Sequence, residues 1–246
     1  MALPLVDSIA LVTGASRGIG YALSIALARA GAHVVAVART VGGLEELDDA
    51  VRAAGSSTTL VPLDMRDYDG FYRLAAALNE RYRRIDVLVG NAAVAGQRSP
   101  LGHVLPKGWD EVMAINVTAN YHLIRAMDPL LRRSAAGRAV FMTSGAGTNA
   151  RAYAAPYSTS KAALNTLART YAAETSSTTV RVNLFNPGPT RTRMRAQVMP
   201  GEDPMTLPAP EDVAEKIVAL CLPSYSETGK LYDFRARKLL NFIEPV

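Results

Sequence analysis

Short, continuous apolar runs alternate with helical stretches of ten or more residues along most of this chain, and that alternation most restricts its fold. Ile9 to Val12, His33 to Val37, Thr59 to Leu63, Asp86 to Val89, Arg138 to Thr143 and Val180 to Phe185 read as six buried strands. Helical patterns follow Gly20 (through Leu23, Leu27 and Ala30), run from Leu44 to Ala54 and from Tyr68 to Arg84, and recur from Trp109 to Arg133, from Tyr157 to about Thr175 and from Glu211 to Leu222. The strand runs lack polar alternation, as expected for a sheet covered on both faces. Strands joined through helices require right-handed crossovers and a parallel sheet. A short strand near Lys230 to Asp233 brings the expected total to about seven. No linker, repeat or shift in composition divides the chain, so residues 1–246 read as one domain, with an irregular, proline-rich insertion at about 189–210.

Charge and composition exclude several roles. The net charge is +5 and the pI about 9.4, but the basic residues are scattered in ones and twos, without a basic run or interleaved aromatics. That pattern speaks against a nucleic-acid partner. No apolar run reaches the roughly 18 residues of a membrane span, and the amino terminus lacks the pattern of a secretory signal. The single Cys221 reads as a small core residue, and His33, His103 and His122 show no ligand spacing, so no metal is expected. A cytoplasmic location is the expectation.

A glycine turn, Gly14-Ala15-Ser16-Arg17-Gly18-Ile19-Gly20, joins the first strand to the first helix. Glycines there allow a tight turn and let backbone N–H groups approach a pyrophosphate at the positive end of a helix. The spacing differs from the common GxGxxG, so its placement carries the argument. The end of the second strand is where an acidic residue would hold the ribose 2′-hydroxyl of NAD. It carries Ala38 and then Arg39. A guanidinium can pair with a 2′-phosphate, and Arg17 can add a second cation, so NADP(H) is expected over NAD(H).

Chemistry is expected at Tyr157 and Lys161. Four residues apart in a helix, they share one face, and a neighbouring ammonium should draw the phenol pKa down from about 10 toward the working pH. A solvated surface pair has the same spacing, so the pair has weight only in company. That company is Ser144 at the end of the fifth strand and Asn116 in the preceding long helix. A hydroxyl, a phenol, an ammonium and an amide around a nicotinamide form a working set for hydride transfer between a carbonyl and an alcohol.

With Thr13-Gly14 to Gly20, Asp64, Asn91-Ala92, Asn116, Ser144, Tyr157, Lys161 and Pro187-Gly188 in order, the chain resembles the classical short-chain dehydrogenases/reductases from about residue 6 to about 222. The resemblance implies a Rossmann-type, doubly wound α/β fold. It implies that Tyr157 is the general acid in reduction, Lys161 lowers the Tyr pKa and holds the nicotinamide ribose, Ser144 holds the substrate oxygen, and Asn116 supports a proton-relay water. Asp64 and Met65 would border the adenine, with Asn91 and Ala92 beside the cofactor. Pro187, Gly188, Thr190 and Thr192 would lie on the carboxamide side, completing a cofactor set with Gly14, Ser16, Arg17, Gly18, Ile19, Gly20 and Arg39.

Two departures stand out. Ala93 replaces a usual glycine, and the tail after Gly229 lacks the family's paired glycine. Substrate walls are expected at 94–100, 146–153 and 189–208. Arg191, Arg193 and Arg195 there, with Met194, Met199 and Met205, favour an anionic or polar substrate under an apolar lid. Apolar residues on several faces of the two long helices (Val112, Ile115, Val117, Leu123, Ile124; Leu164, Leu167, Tyr171) predict a homodimer or homotetramer. The competing reading is a non-catalytic NADP(H)-binding redox sensor or scaffold. That role tolerates loss of the Tyr or Lys, and neither is lost.

Overall fold

A computed structural model describes residues 3–242. One sheet of eight strands has the order β3-β2-β1-β4-β5-β6-β7-β8. β1 (Ile9–Thr13), β2 (His33–Ala38), β3 (Thr58–Pro62), β4 (Val87–Gly90), β5 (Arg138–Met142), β6 (Arg181–Asn186) and β7 (Leu231–Asp233) run parallel. β8 (Lys238–Leu240) returns antiparallel to β7. The expected seven strands are there; the eighth lies in the tail, where three exposed residues offer no buried run to read.

The helices cover both faces. α1 (Gly18–Arg29), α2 (Val41–Ala53) and α8 (Pro210–Cys221) supply Leu23, Leu27, Leu44, Val51, Val213 and Ile217 to one apolar layer. On the opposite face, α3 (Tyr68–Tyr82), α5 (Ala119–Leu131) and α6 (Ala155–Glu174) supply Phe71, Leu78, Leu123, Met127, Leu164 and Tyr171 to the second. Every residue of β1, β4 and β5 is buried, which is why those runs show no polar alternation. Each fully buried Leu or Val contributes about 1.5–3 kcal/mol relative to exposure.

Several boundaries differ from those expected. The long helix begins at Pro106 rather than Trp109, because Pro suits the first helical turn. It is also not continuous: α4 (Pro106–Met113) passes into a π-helical turn at Ala114–Thr118 before α5. α2 starts at Val41 and includes Gly42 and Gly43, which look like loop residues in sequence. The irregular 186–210 stretch contains a short helix, α7 (Arg193–Val198), capped by the Thr192 hydroxyl, which accepts from Arg195 N. Among the described residues no helix is long and apolar enough to cross a membrane.

The order of the sheet reverses between β1 and β4. In open α/β sheets a crevice opens outside the carboxyl ends of the strands at such a point.

Candidate active site

That crevice is a single cleft reached by residues after β1 (Gly14), β2 (Arg39), β4 (Asn91) and β5 (Thr143). The glycine turn forms one wall. Gly14 and Gly18 have φ of +68° and +57°, the left-handed region that residues with a Cβ avoid. Gly20 serves packing instead: a Cβ there would lie 2.3 Å from Gly14 O and 2.5 Å from Asn91 Nδ2. Asn91 donates from Nδ2 to Thr13 O at 2.8 Å, and the Thr13 hydroxyl accepts from the Asn91 and Ala92 amides at 3.0 and 3.1 Å. The turn is thereby clamped to the end of β4. Gly18 and Ile19, at the start of α1, line the cleft with Ser16 and Arg17, so the positive end of the helix opens onto it. A Cβ on Gly18 would reach Thr192 Cγ2 at 3.4 Å. The cradle is thus narrow as well as cationic, and it suits a pyrophosphate.

At the β2 end, Ala38, Arg39 and Thr40 line the cleft with Asp64 and Met65 opposite. Asp64 accepts from Arg66 through Nε (3.1 Å), Nη2 (2.9 Å) and the backbone amide (2.8 Å). The Arg66 side-chain hydrogen bonds are the main reason its carboxyl falls to about 2. Arg39 lies farther away, 3.8 Å from Asp64, and its side chain is 56% exposed. With Asp64 engaged by Arg66, the Arg39 guanidinium keeps its donors for a ligand.

At the other end, α6 brings Tyr157 and Lys161 onto the cleft wall one turn apart. Lys161 is 3% exposed. Its Nζ donates to Met142 O at 2.7 Å and lies 5.7 Å from the centre of the Tyr157 ring. Burial lowers the ammonium pKa to about 8. The expected fall in the phenol pKa is overturned for the protein alone. Burial raises it, because a phenolate loses its hydration, and a hydrogen bond from the Ser144 hydroxyl opposes that rise only in part. The Lys161 ammonium hydrogen-bonds the Met142 carbonyl.

Ser144 begins a single 3-10 turn at Gly145–Gly147, and its Oγ accepts from Ala146 N at 3.2 Å. Ser144 itself does not line the cleft, and neither does Asn116, which is fully buried in the π turn. Its Oδ1 accepts from Val94 N, and its Nδ2 donates to Val94 O and to Ser160 Oγ, at 2.9, 2.9 and 3.0 Å. The Asn116 side chain therefore ties the loop after β4 to α6.

Most of the expected cofactor residues meet here: Pro187 and Thr192 line the cleft as well, but Gly20, Gly188 and Thr190 do not. Thr190 is buried, its hydroxyl turned onto Pro187 O and Gly188 O at 3.4 Å each. Ala93 lines the cleft without a left-handed backbone, so the missing glycine imposes no strain there. Of the three arginines of the insertion, Arg195 is taken up by Glu202 at 2.5 and 2.6 Å, leaving Arg191 and Arg193. Thr40, Leu63, Ile115, Met142 and Thr143, none of them expected from the sequence, also line the cleft. The position of Met142 and Thr143 at the end of β5, beside Ser144, was a usable signal; Ile115 depends on the π turn and had none. Among the described residues no group of three or more His, Cys, Asp or Glu could hold a metal.

Known proteins resemble this chain in sequence and in fold. The sequence profile of the short chain dehydrogenase family matches residues 8–203. The uncharacterized oxidoreductase YciK of Escherichia coli K12 is 36% identical over 231 residues, which cover 92% of this chain and 91% of YciK. A crystal structure of a short chain dehydrogenase from Shigella flexneri 2a, complexed with NADP, superposes with a TM-score of 0.91 at 35% identity, covering 95% of this chain and 99% of that one. A second, from Escherichia coli CFT073 and complexed with NADPH, also gives 0.91, at 34% identity, with 95% and 98% covered. The clamped glycine turn, the Tyr157–Lys161 pair and the match over most of the chain lead to one conclusion: this protein belongs to the short-chain dehydrogenase/reductase family of oxidoreductases.

Proposed function

We propose that the chain is an NADP(H)-dependent oxidoreductase that interconverts a carbonyl and a secondary alcohol, with Tyr157 as general acid and base. The observation that carries this reading is one cleft with Tyr157 and Lys161 at one end and, at the other, a half-exposed Arg39 that only approaches Asp64, at 3.8 Å. Arg39 and Arg17 would hold the 2′-phosphate, with no carboxylate at Ala38 to repel it. The NADP and NADPH bound by the two solved relatives support that choice. Gly14 and Gly18 would admit the pyrophosphate, with Ser16, Ile19, Asn91 and Ala92 beside it and Met65 at the adenine side.

When bound, the nicotinamide supplies or accepts the hydride. Tyr157 then gives its proton to the carbonyl oxygen in reduction, or takes it from the alcohol in oxidation. The raised phenol pKa keeps that proton on Tyr157 at neutral pH, so the acid form is present before reaction. Ser144 hydrogen-bonds the substrate oxygen, and the nearby Lys161 charge stabilises the phenolate as it forms. Pro187, Gly188, Thr190 and Thr192 would shape the carboxamide side, directly or through backbone.

The insertion at about 189–210 would close the substrate side. Arg191 and Arg193 favour an anionic or polar substrate, and Met194, Met199 and Met205 an adaptable lid. The whole chain would act as one dinucleotide-binding and catalytic domain. A single buried cysteine makes no demand on an oxidising compartment, and we take the cytoplasm as its place of work.

Tyr157→Phe tests the reading. With a panel of ketones, aldehydes, quinones and 3-oxoacyl thioesters as NADPH oxidants, turnover should fall by at least about 100-fold while NADPH binding, followed by fluorescence, is kept. Unchanged turnover would remove Tyr157 from the chemistry. NADPH binding without turnover on any carbonyl would favour the sensor or scaffold reading.

A further inference from the structure

We propose that Asn186 is a positioning residue. It would hold the Ser144 loop and the Pro187–Gly188 loop at a fixed separation, with Asp233 of the C-terminal hairpin as the group that orients it. Asn186 is the last residue of β6 and is 8% exposed. Its Oδ1 accepts from two amides, Gly145 N at 3.2 Å and Gly188 N at 3.1 Å. Its Nδ2 donates to Asp233 Oδ2 at 2.8 Å. The carboxylate's other oxygen accepts from Ala236 N at 2.8 Å, inside the same hairpin. The reverse orientation of the amide would set NH2 against two N–H donors and oxygen against a carboxylate, so one orientation alone satisfies all partners.

What the bridge joins gives it a function. Gly145 directly follows Ser144, whose hydroxyl is close enough to the Tyr157 phenol to oppose the rise in its pKa. Gly188 directly follows Pro187, which lines the cleft. It sits at φ +64°, a turn that returns its amide toward the end of β6. A single side chain thus sets the distance between the group that bonds the reacting oxygen and the loop beside the cofactor. Errors there of the order of an ångström lower rates steeply. The bridge also gives the atypical tail a role. β7 pairs with β6 in the register Asn186↔Asp233, and Phe234 N donates to Asn186 O at 3.0 Å. Where the sequence lacks the expected paired glycine, it supplies the carboxylate that orients the Asn186 amide.

The inference rests on the proposed function for its catalytic meaning, and a charge-swap experiment on the full chain separates the two. In N186D a carboxylate still accepts from both glycine amides but meets Asp233 without a donor between them. Amide exchange in peptides spanning 143–148 and 186–190 should speed up, and NADPH should bind about tenfold more weakly. D233N alone retains a donor–acceptor pair and should weaken binding mildly. Combined, N186D/D233N rebuilds the bridge with the donor on residue 233, and should return both readouts most of the way to wild type. The same substitution would then be mildly harmful in one background and corrective in the other, which general loss of stability does not produce. Thermal melting of all four proteins records folding. If N186D does not fold, the double variant carries the test: wild-type-like exchange supports the bridge, and a double variant no more stable or protected than N186D overturns it. A folded N186D with wild-type exchange and NADPH affinity also overturns it. If wild type itself fails to bind NADPH, the proposed function falls, while the exchange comparison still decides the bridge.

Discussion

Lys161 shows how little a motif says about the state of its own residues. A Tyr and a Lys one helical turn apart do share a face of α6, but burial pushes the phenol up and the ammonium down, to about 8 for Lys161. A lysine whose folded pKa is lowered binds its proton less tightly than in the unfolded chain. It therefore costs stability below pH 8, and that cost disappears as pH rises toward about 10.5. Lys161→Met should accordingly raise the unfolding free energy at pH 7 by about 2 kcal/mol, the ionisation cost less the lost bond to Met142 O. Urea titrations at pH 7 and pH 10 should show the gain at the lower pH and most of it gone at the higher. The same variant should lose turnover, so stability and activity would move in opposite directions at one residue. At the far end of the cleft, Arg39→Ala should cost NADPH at least about tenfold in kcat/KM, the worth of a charge-assisted pair, and leave NADH within about twofold. An equal loss with both coenzymes would remove Arg39 from the recognition of the phosphate.

Among the elements, α1 and α2 both carry glycines in their first turn, for different physical reasons. Gly20 is closed in by Gly14 O, whereas a Cβ at Gly42 meets nothing within 4 Å. Gly20→Ala should cost about 1–3 kcal/mol through overpacking and weaken NADPH binding. Gly42→Ala should stabilise α2 by about 0.5–1 kcal/mol. Denaturation of the two variants should show opposite signs. The helix that carries Asn116 was legible in sequence, but its π turn was not. Periodicity marks which face is apolar, and one extra residue in a turn leaves that mark nearly unchanged. Yet the π turn contains both Asn116, which ties Val94 to Ser160, and Ile115, which reaches the cleft.

At the scale of the whole molecule, only part of the apolar surface of the two long helices is left for an oligomer interface. Val112, Ile115, Leu123, Leu164 and Tyr171 are buried within the protomer itself. Val117, Ile124 and Leu167 are only partly covered, and Tyr121 is 44% exposed. A homodimer or homotetramer through α5 and α6 remains our proposal. Light scattering at micromolar concentration should show it, and Tyr121→Glu should shift the distribution toward monomer. The sequence by itself determined the layered fold, because short uninterrupted apolar runs suit strands covered on both faces, and strands alternating with long helices favour parallel crossovers. It also carried the order of the site, since Gly14, Arg39, Ser144 and Tyr157 fall at strand ends or a helix start that local patterns mark, with Lys161 one turn after Tyr157. Only the tertiary structure decided what those residues experience. Desolvation of Tyr157 and Lys161 depends on burial, and the bridge of Asn186 to Gly145 and Asp233 joins segments dozens of residues apart. No local pattern encodes them, because proximity in a folded chain is set by the packing of the sheet and not by position along it.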